Sequence, residues 1–378
     1  MAGIYIHIPF CKQRCRYCSF FSSTNEEKKR EYVDALCEEL RMRKNYIESN
    51  VDTIYIGGGT PSTLQKEDFE KIFSTIKENF NVKDGAEITL EANPDDLSRD
   101  YLTMLRSLPF NRLSMGVQSF DDALLKKLGR RHDSARAKEA FSNARAAGFD
   151  NISIDLMFAL PGSTSKSWSN DLKNAIELCP EHISAYNLTY EEGTALYKAM
   201  QSGSIVPLDE DENLQQFTML IEALEAAGYC HYEISNFARP GRESRHNSSY
   251  WHNVPYLGCG AAAHSYDGVS RQWNVADIAL YIRGIKEGAP DYEIEELTES
   301  ERYNDAVLTR LRTRDGLPLD WFKENFQEKY IKYMLNAAAA HIERGTLTRT
   351  STSNDSIRLT KKGIFISDAI MRDLIFVK

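Results

Sequence analysis

The sequence has no run of about 18 apolar residues, and its start carries no basic stretch followed by an apolar core. The first absence excludes a membrane-spanning helix and the second a secretory signal, so the expected compartment is the cytoplasm, with room only for peripheral membrane contact. Basic charge is also scarce: 46 Lys and Arg stand against 55 Asp and Glu, a formal net of -9. That balance excludes binding to nucleic acid through bulk charge. Cysteine is present without a pairing pattern. The count of seven is odd, and Cys37, Cys179, Cys230 and Cys259 are scattered, which argues against a disulfide framework and for a reducing compartment. The glycine-rich segment "IYIGGGTPS" lacks the following Gly-Lys-Ser/Thr that a phosphate loop requires.

What is present is a repeated alternation. β-branched and aromatic runs begin at Ile4, Thr53, Ala86, Arg112, Asn151 and His182, each followed by a helical pattern. Val33, Leu36, Leu40 and Ile47 fall on one helical face, as do Phe69, Ile72, Phe73 and Ile76. Six such units predict an α/β fold, a partial (β/α)6 TIM-type barrel whose parallel strands are covered by helices. Ligands of such folds sit beyond the carboxyl ends of the strands. There the sequence places three glycines after the second strand, Glu91 ending the third, Gln118 after the fourth and Asp155 within the fifth.

Beyond about residue 205 the rhythm fades into a segment rich in His, Tyr, Asn and Gly. From Glu299 onward 14 Lys and Arg face 11 Asp and Glu, a local net of +3 against -12 for the rest. We therefore expect a barrel core over 1–205, a barrel extension over 206–295 and a smaller helical, winged-helix-like C-terminal domain over 296–378. In that last part "STSNDS" reads as a polar turn. With little excess charge and no Arg or Lys cluster on a recognition helix, a docking or lid role is expected there and a nucleic-acid partner is not.

Three cysteines, Cys11, Cys15 and Cys18, crowd "CKQRCRYC" directly after the first strand, with no fourth nearby. Structural zinc wants four ligands, so the triplet borrows a distant one such as His7, leaves a metal position open, or is incidental. Thiolates also suit iron–sulfur clusters, and a cluster held by three cysteines leaves one iron for another ligand. Neighbouring parallel strands would set this loop beside "GGGTPS", whose glycines let backbone groups approach a small polar ligand.

In these residues the chain resembles the radical S-adenosylmethionine enzymes, whose signature is C-x-x-x-C-x-x-C after the first strand and a glycine-rich segment after the second. "YIHIPFC", "GGGTPS", "EANPDDL", "GVQSF", "LGRRH", "DLMFALPG" and "NFARPG" resemble, in order and over most of the chain, the subgroup of oxygen-independent coproporphyrinogen dehydrogenase. The resemblance implies that Cys11, Cys15 and Cys18 hold a 4Fe-4S cluster whose open iron takes S-adenosylmethionine. It implies that Tyr5 and Tyr17 lie near that cofactor and that Gly58, Gly59 and Thr60 face its methionine portion. Glu91, Gln118, Arg130 and Asp155 would be its polar contacts. The residue types agree, since carboxylates accept from ammonium or ribose hydroxyls and arginine pairs with a carboxylate.

The subgroup holds two biochemical classes: the dehydrogenase, and HemW-type haem chaperones, which bind haem and pass it to an acceptor protein. Dehydrogenases carry a fourth cysteine two residues after the third, where this chain has Phe20, and a long N-terminal extension, whereas here ten residues precede Cys11. "RHNSSYW" resembles the H-N-x-x-Y-W motif of the chaperones. A histidine can give haem iron an axial imidazole, so His246 is the first candidate haem ligand, with His252, His264, Cys259 and His231 behind it. The expected function is haem binding and delivery to an unidentified acceptor, with no catalytic residue assigned. The alternatives are oxygen-independent coproporphyrinogen III dehydrogenase, another radical enzyme and, well behind, a winged-helix nucleic-acid binder.

Overall fold

Alternating β-branched runs and amphipathic helices need two covered sheet faces, and the computed structural model, which describes residues 1–350 and 355–377, meets that need with one large sheet. Strands β1 (Ala2–Ile8), β2 (Val51–Gly58), β3 (Val82–Ala92), β4 (Arg112–Gln118), β5 (Ile152–Phe158) and β6 (His182–Asn187) lie side by side in that order, all parallel. Their crossovers carry helices α1 (Lys29–Met42), α2 (Lys66–Asn79), α3 (Arg99–Arg106), α4 (Asp122–Leu128), α5 (Ser134–Ala146) and α6 (Ser165–Leu178). After β6 come α7 (Ala195–Gln201) and α8 (Glu210–Ala226).

The helical faces expected from the sequence are the buried ones, with one exception. Val33, Leu36 and Leu40 of α1 are buried, but Ile47 lies past the helix, half-buried against the same core. The chain leaves α1 at Arg43, whose guanidinium donates to Gly258 O at 2.9 Å and Ser265 Oγ at 3.0 Å. In α2, Phe69, Ile72 and Ile76 are buried, and Phe73 packs edge-on against Phe110 with ring centroids 5.1 Å apart.

The rhythm ends near residue 205, but the sheet does not. Strands β7 (Cys230–Glu233) and β8 (Asn236–Ala238) continue it antiparallel beyond β6. Helix α9 (Arg245–Trp251) follows, and β9 (Tyr256–Cys259) returns to the opposite side and pairs parallel with β1 as a seventh parallel strand. Strands β10 (His264–Tyr266) and β11 (Ser270–Asn274), helix α10 (Ile278–Lys286) and strand β12 (Tyr292–Glu296) complete a 12-stranded sheet that remains open between β12 and β7.

The remainder builds its own core around Tyr303, Phe322, Tyr330 and Met334. Its order is α11 (Glu299–Arg310), β13 (Leu317–Pro318), α12 (Leu319–Asn325), α13 (Glu328–Glu343), β14 (Leu347–Thr350), β15 (Ser356–Leu359), α14 (Lys361–Ile364) and α15 (Ser367–Leu374). A helix, a strand, two helices and a strand pair are the winged-helix order. Residues 351–354 of the expected polar turn lie outside the described residues. This unit docks on the sheet by a bridge between Glu233 and Thr313, with Ile234 N donating to Arg312 O at 3.2 Å and Arg314 N to Tyr232 O at 3.0 Å. No helix of the described residues is long and apolar enough to cross a membrane.

Candidate functional site

The loop after β1 is closed on itself, because Ser23 N donates to Pro9 O at 2.7 Å and Cys11 N to Ser23 O at 2.9 Å. Its far side is fixed by Arg16 N donating to Leu128 O at 3.0 Å. This places Cys11, Cys15 and Cys18 along one cavity of about 610 Å³, together with Gly58, Gly59 and Thr60 from the end of β2. The expected juxtaposition of the two loops is met closely. Gly59 N donates to Ile8 O at 2.8 Å, and a Cβ on Gly59 would stand 3.0 Å from Cys11 Sγ and 2.9 Å from the Pro9 carbonyl carbon. Only glycine fits that approach.

Side chains donate to two of the three sulfurs, and the Phe20 backbone N–H serves Cys18. Thr60 Oγ1 donates to Cys11 Sγ at 3.3 Å and Arg130 Nη1 to Cys15 Sγ at 3.2 Å. Asn93 joins them, donating to Thr60 Oγ1 at 3.2 Å and accepting from Arg130 Nη2 at 2.5 Å. Asn93 was not singled out from the sequence, although it follows Glu91 by two positions in "EANPDDL". Burial pushes the Cys11 and Cys18 thiols up, while the donors favour the thiolate. Among the described residues no three His, Cys, Asp or Glu side chains converge on one ion position. Three thiols lining one cavity are soft donors of the kind that iron–sulfur clusters take.

The strand ends complete the wall. Tyr55 Oη donates to Glu91 Oε1 at 2.7 Å and Gly58 N to Glu91 Oε2 at 3.1 Å. Withdrawal from water, with a smaller push from Asp155, raises the Glu91 pKa to about 7. Asp155 accepts from Ser114 Oγ at 3.3 Å and is raised by burial to about 6. Gln118 ends β4 with φ of 70°, a left-handed backbone that a non-glycine residue holds only under constraint. Tyr17, Gln118, Arg130 and Asp155 all line the cavity. Tyr5 does not: it points into the barrel below, with its hydroxyl on His7 Nδ1 at 3.0 Å.

The RHNSSYW segment is helix α9, and its first turn is held from two sides. Ser244 Oγ accepts from Asn247 N at 3.3 Å, and the Glu87 carboxylate of β3 accepts from Arg245 N at 3.1 Å and His246 N at 3.0 Å. His246 is 1% exposed. Its Nδ1 meets Thr53 Oγ1 at 2.8 Å, its Nε2 meets Tyr250 Oη at 2.8 Å, and its ring stacks on Tyr55 at 5.0 Å. The structure therefore does not bring His246 to the cavity. Its neighbour Asn247 lines the cavity instead.

Nor do the weaker haem-ligand candidates reach it. His231 Nε2 lies 3.1 Å from Ile234 O and its ring stacks on Phe237, while Cys259 is fully buried. His264 is exposed beside Trp273. His252, whose Nδ1 lies 2.7 Å from Ser248 O, lines a separate space with Arg310 and Arg358.

Comparison with known proteins agrees with this geometry. The Radical SAM superfamily matches residues 5–175 and the HemN C-terminal domain residues 297–366. The curated "Heme chaperone HemW" of Bacillus subtilis (strain 168) is 40% identical over 334 residues, covering 87% of each chain. Its counterpart in Mycobacterium tuberculosis (strain ATCC 25618 / H37Rv) is 33% identical over 99% of this chain and 94% of that one. Among solved structures, coproporphyrinogen III oxidase (HemN) from Escherichia coli superposes with a TM-score of 0.84 at 25% identity, covering 99% of this chain and 90% of that one. With the cysteine loop, the glycine approach and the polar strand ends in place, the chain belongs to the radical S-adenosylmethionine superfamily and, within it, to the HemW family.

Proposed function

We propose that this protein binds haem and passes it to an acceptor protein in the cytoplasm, holding a 4Fe-4S cluster on Cys11, Cys15 and Cys18 and S-adenosylmethionine across the strand ends. In this reading residues 1–205 bear the cofactors, 206–295 extend the barrel and 296–378 form a docking or lid domain. When bound, the cluster and cofactor supply one-electron chemistry. The chain's own part is to bind and orient. Gly58, Gly59 and Thr60 offer backbone to the methionine end, Arg130 offers a cation for its carboxylate, and Glu91, Gln118 and Asp155 take its donors. Tyr5 acts from beneath, through His7, rather than by contact.

The observation that carries the haem reading over porphyrin oxidation is Phe20. Where a dehydrogenase would have its fourth cysteine, this chain sets an aromatic ring 69% exposed at the cavity wall, suited to packing a macrocycle face. His246 remains the motif's candidate haem ligand on one condition, that a ring nitrogen exchanges Thr53 or Tyr250 for iron. Asn247 needs no exchange to meet a ligand in the cavity.

A second reading, oxygen-independent coproporphyrinogen III dehydrogenase, is favoured by the similarity to HemN along 99% of the chain. One preparation separates the two: anaerobic protein with a reconstituted cluster, assayed in parallel for a saturable Soret change with haem, haem transfer to an apo acceptor, deoxyadenosine release and coproporphyrinogen turnover. Saturable haem binding without porphyrin turnover supports the chaperone. Turnover without haem binding overturns it.

A further inference from the structure

Arg112 is among the largest fully buried side chains of the molecule, 1% exposed, and nothing in the site described above uses it. It opens β4 opposite Thr89 of β3. Two residues on, with the same face inward, Ser114 stands opposite Glu91 and donates to Asp155. Arg112 therefore lies one inward-facing row beneath Glu91 and, because Asp155 pairs with Gly116, two rows beneath Asp155. Among the described residues its Nε has no hydrogen-bond partner. An arginine stays charged at any ordinary pH, so a guanidinium buried in a barrel interior with its Nε unpartnered is costly unless nearby negative charge offsets it.

The groups that feel this charge surround it on every side: Tyr55 of β2, Glu91 of β3, Asp155 of β5, His182 of β6, Tyr232 of β7 and His246 of α9. Both histidines are held neutral by burial first and by Arg112 second, and both tyrosines are pushed further from ionising by burial. Of these groups only Glu91 and Asp155 are carboxyls; the other buried carboxylate on the inward face of β3, Glu87, is engaged with Arg245 N and His246 N.

We propose that Arg112 is the interior counter-charge of the cavity, a positioning residue that keeps Glu91 and Asp155 as carboxylates able to accept hydrogen bonds from the cofactor's ammonium and hydroxyl groups. This rests on the reading that the cavity takes S-adenosylmethionine. Burial drives both acids toward the protonated form, and Arg112 opposes that drive foremost at Asp155 and, after the Tyr55 and Gly58 hydrogen bonds, at Glu91. A protonated carboxyl loses acceptor capacity, so cofactor binding falls off on the acid side. Removing Arg112 raises both pKa values and moves that limb to higher pH.

The test measures S-adenosylmethionine binding to the cluster-reconstituted full chain by equilibrium dialysis from about pH 6 to about pH 9. Arg112→Gln should move the acid limb upward by at least about one unit, a loss of about tenfold near neutral pH. Arg112→Lys should hold the native midpoint, and iron content should be unchanged in both. A folded R112Q protein with the native midpoint overturns the proposal. A ligand-free cycle tests it independently: R112Q should lower the melting temperature, and R112Q/D155N, which removes a negative charge with the positive one, should recover it. If the double variant melts no higher than the single, Arg112 is a packing residue and the proposal fails. If the native chain binds no S-adenosylmethionine at any pH, the reading of the cavity fails, while the melting cycle still decides whether Arg112 balances the carboxylates.

Discussion

The cavity wall and helix α9 are both dense in polar side chains, yet they differ in what is left over. At the first turn of α9 the bonding capacity is consumed: both nitrogens of His246 have partners, and Glu87 takes two backbone N–H groups. At the cavity Glu91 and Asp155 have partners too, but a carboxylate accepts about four hydrogen bonds, so capacity remains. Glu91 and Asp155 are raised to about 7 and about 6, and Gln118 keeps a left-handed backbone. Satisfied buried polar groups rigidify, whereas unsatisfied or strained ones await a ligand. The difference teaches that a motif histidine can be the pin of a site while its neighbours do the reading.

The largest effect lies on the cavity side. Cys15→Ser should abolish cluster retention, read as iron and sulfide content after anaerobic reconstitution, while leaving the fold intact by circular dichroism. Native iron content in that variant would remove the cysteine loop from the comparison.

On the α9 side the effect should be on stability. His246→Ala removes a fully buried ring and strands Thr53 and Tyr250, for a loss of about 2–4 kcal/mol in denaturant unfolding. It should also flatten the acid limb. The folded pKa of His246 is pushed down to about 3 by burial and by Arg112, against an ordinary value of 6.5. Between those values the unfolded chain binds a proton that the folded chain refuses, so stability falls as pH drops through the window. The variant loses one proton of that slope; His7, His182, His231 and His264, lowered likewise, keep theirs. Weaker haem binding with native stability would instead make His246 a ligand.

Asn247→Ala should invert this pattern one residue away. Stability should change by less than about 0.5 kcal/mol, since the amide packs against open cavity, while affinity for the cavity ligand drops about three- to tenfold. An unfolding midpoint lowered as much as that of H246A would erase the distinction between pin and reader.

The smallest effect tests the strained wall. Gln118→Gly relieves the positive φ and should raise stability by up to about 1 kcal/mol while weakening S-adenosylmethionine binding. If binding is unchanged, the side chain is not a cofactor contact and the backbone turn alone matters.

Much of the cavity was legible in advance because its signals are local. Strand period, glycine position and cysteine spacing are read within a few residues, and parallel strands put their carboxyl ends on one rim. Glu91, Gln118 and Asp155 followed from that rule and Arg130 from the family resemblance, and all four line one space. The misses were all long-range. Tyr5 alternates with its neighbours correctly but sits one layer too low, and Asn93 acts through Thr60 and Arg130 rather than through any spacing of its own. Strand β9 joins β1 across more than half the chain, which no local periodicity announces.

By itself, the sequence determined the parallel sheet with its helices, the three-cysteine loop and the glycine approach, since each is a property of residue type and near spacing; the meaning of Phe20 came from the family resemblance. Only the tertiary structure decided how the polar interior is shared out. The partner of His246 Nδ1 is Thr53, 193 positions away, and the charge that balances Glu91 and Asp155 comes from a strand between theirs. Whether a buried polar group is spent or available depends on which atoms reach it within hydrogen-bond distance, and that is set by packing rather than by order along the chain.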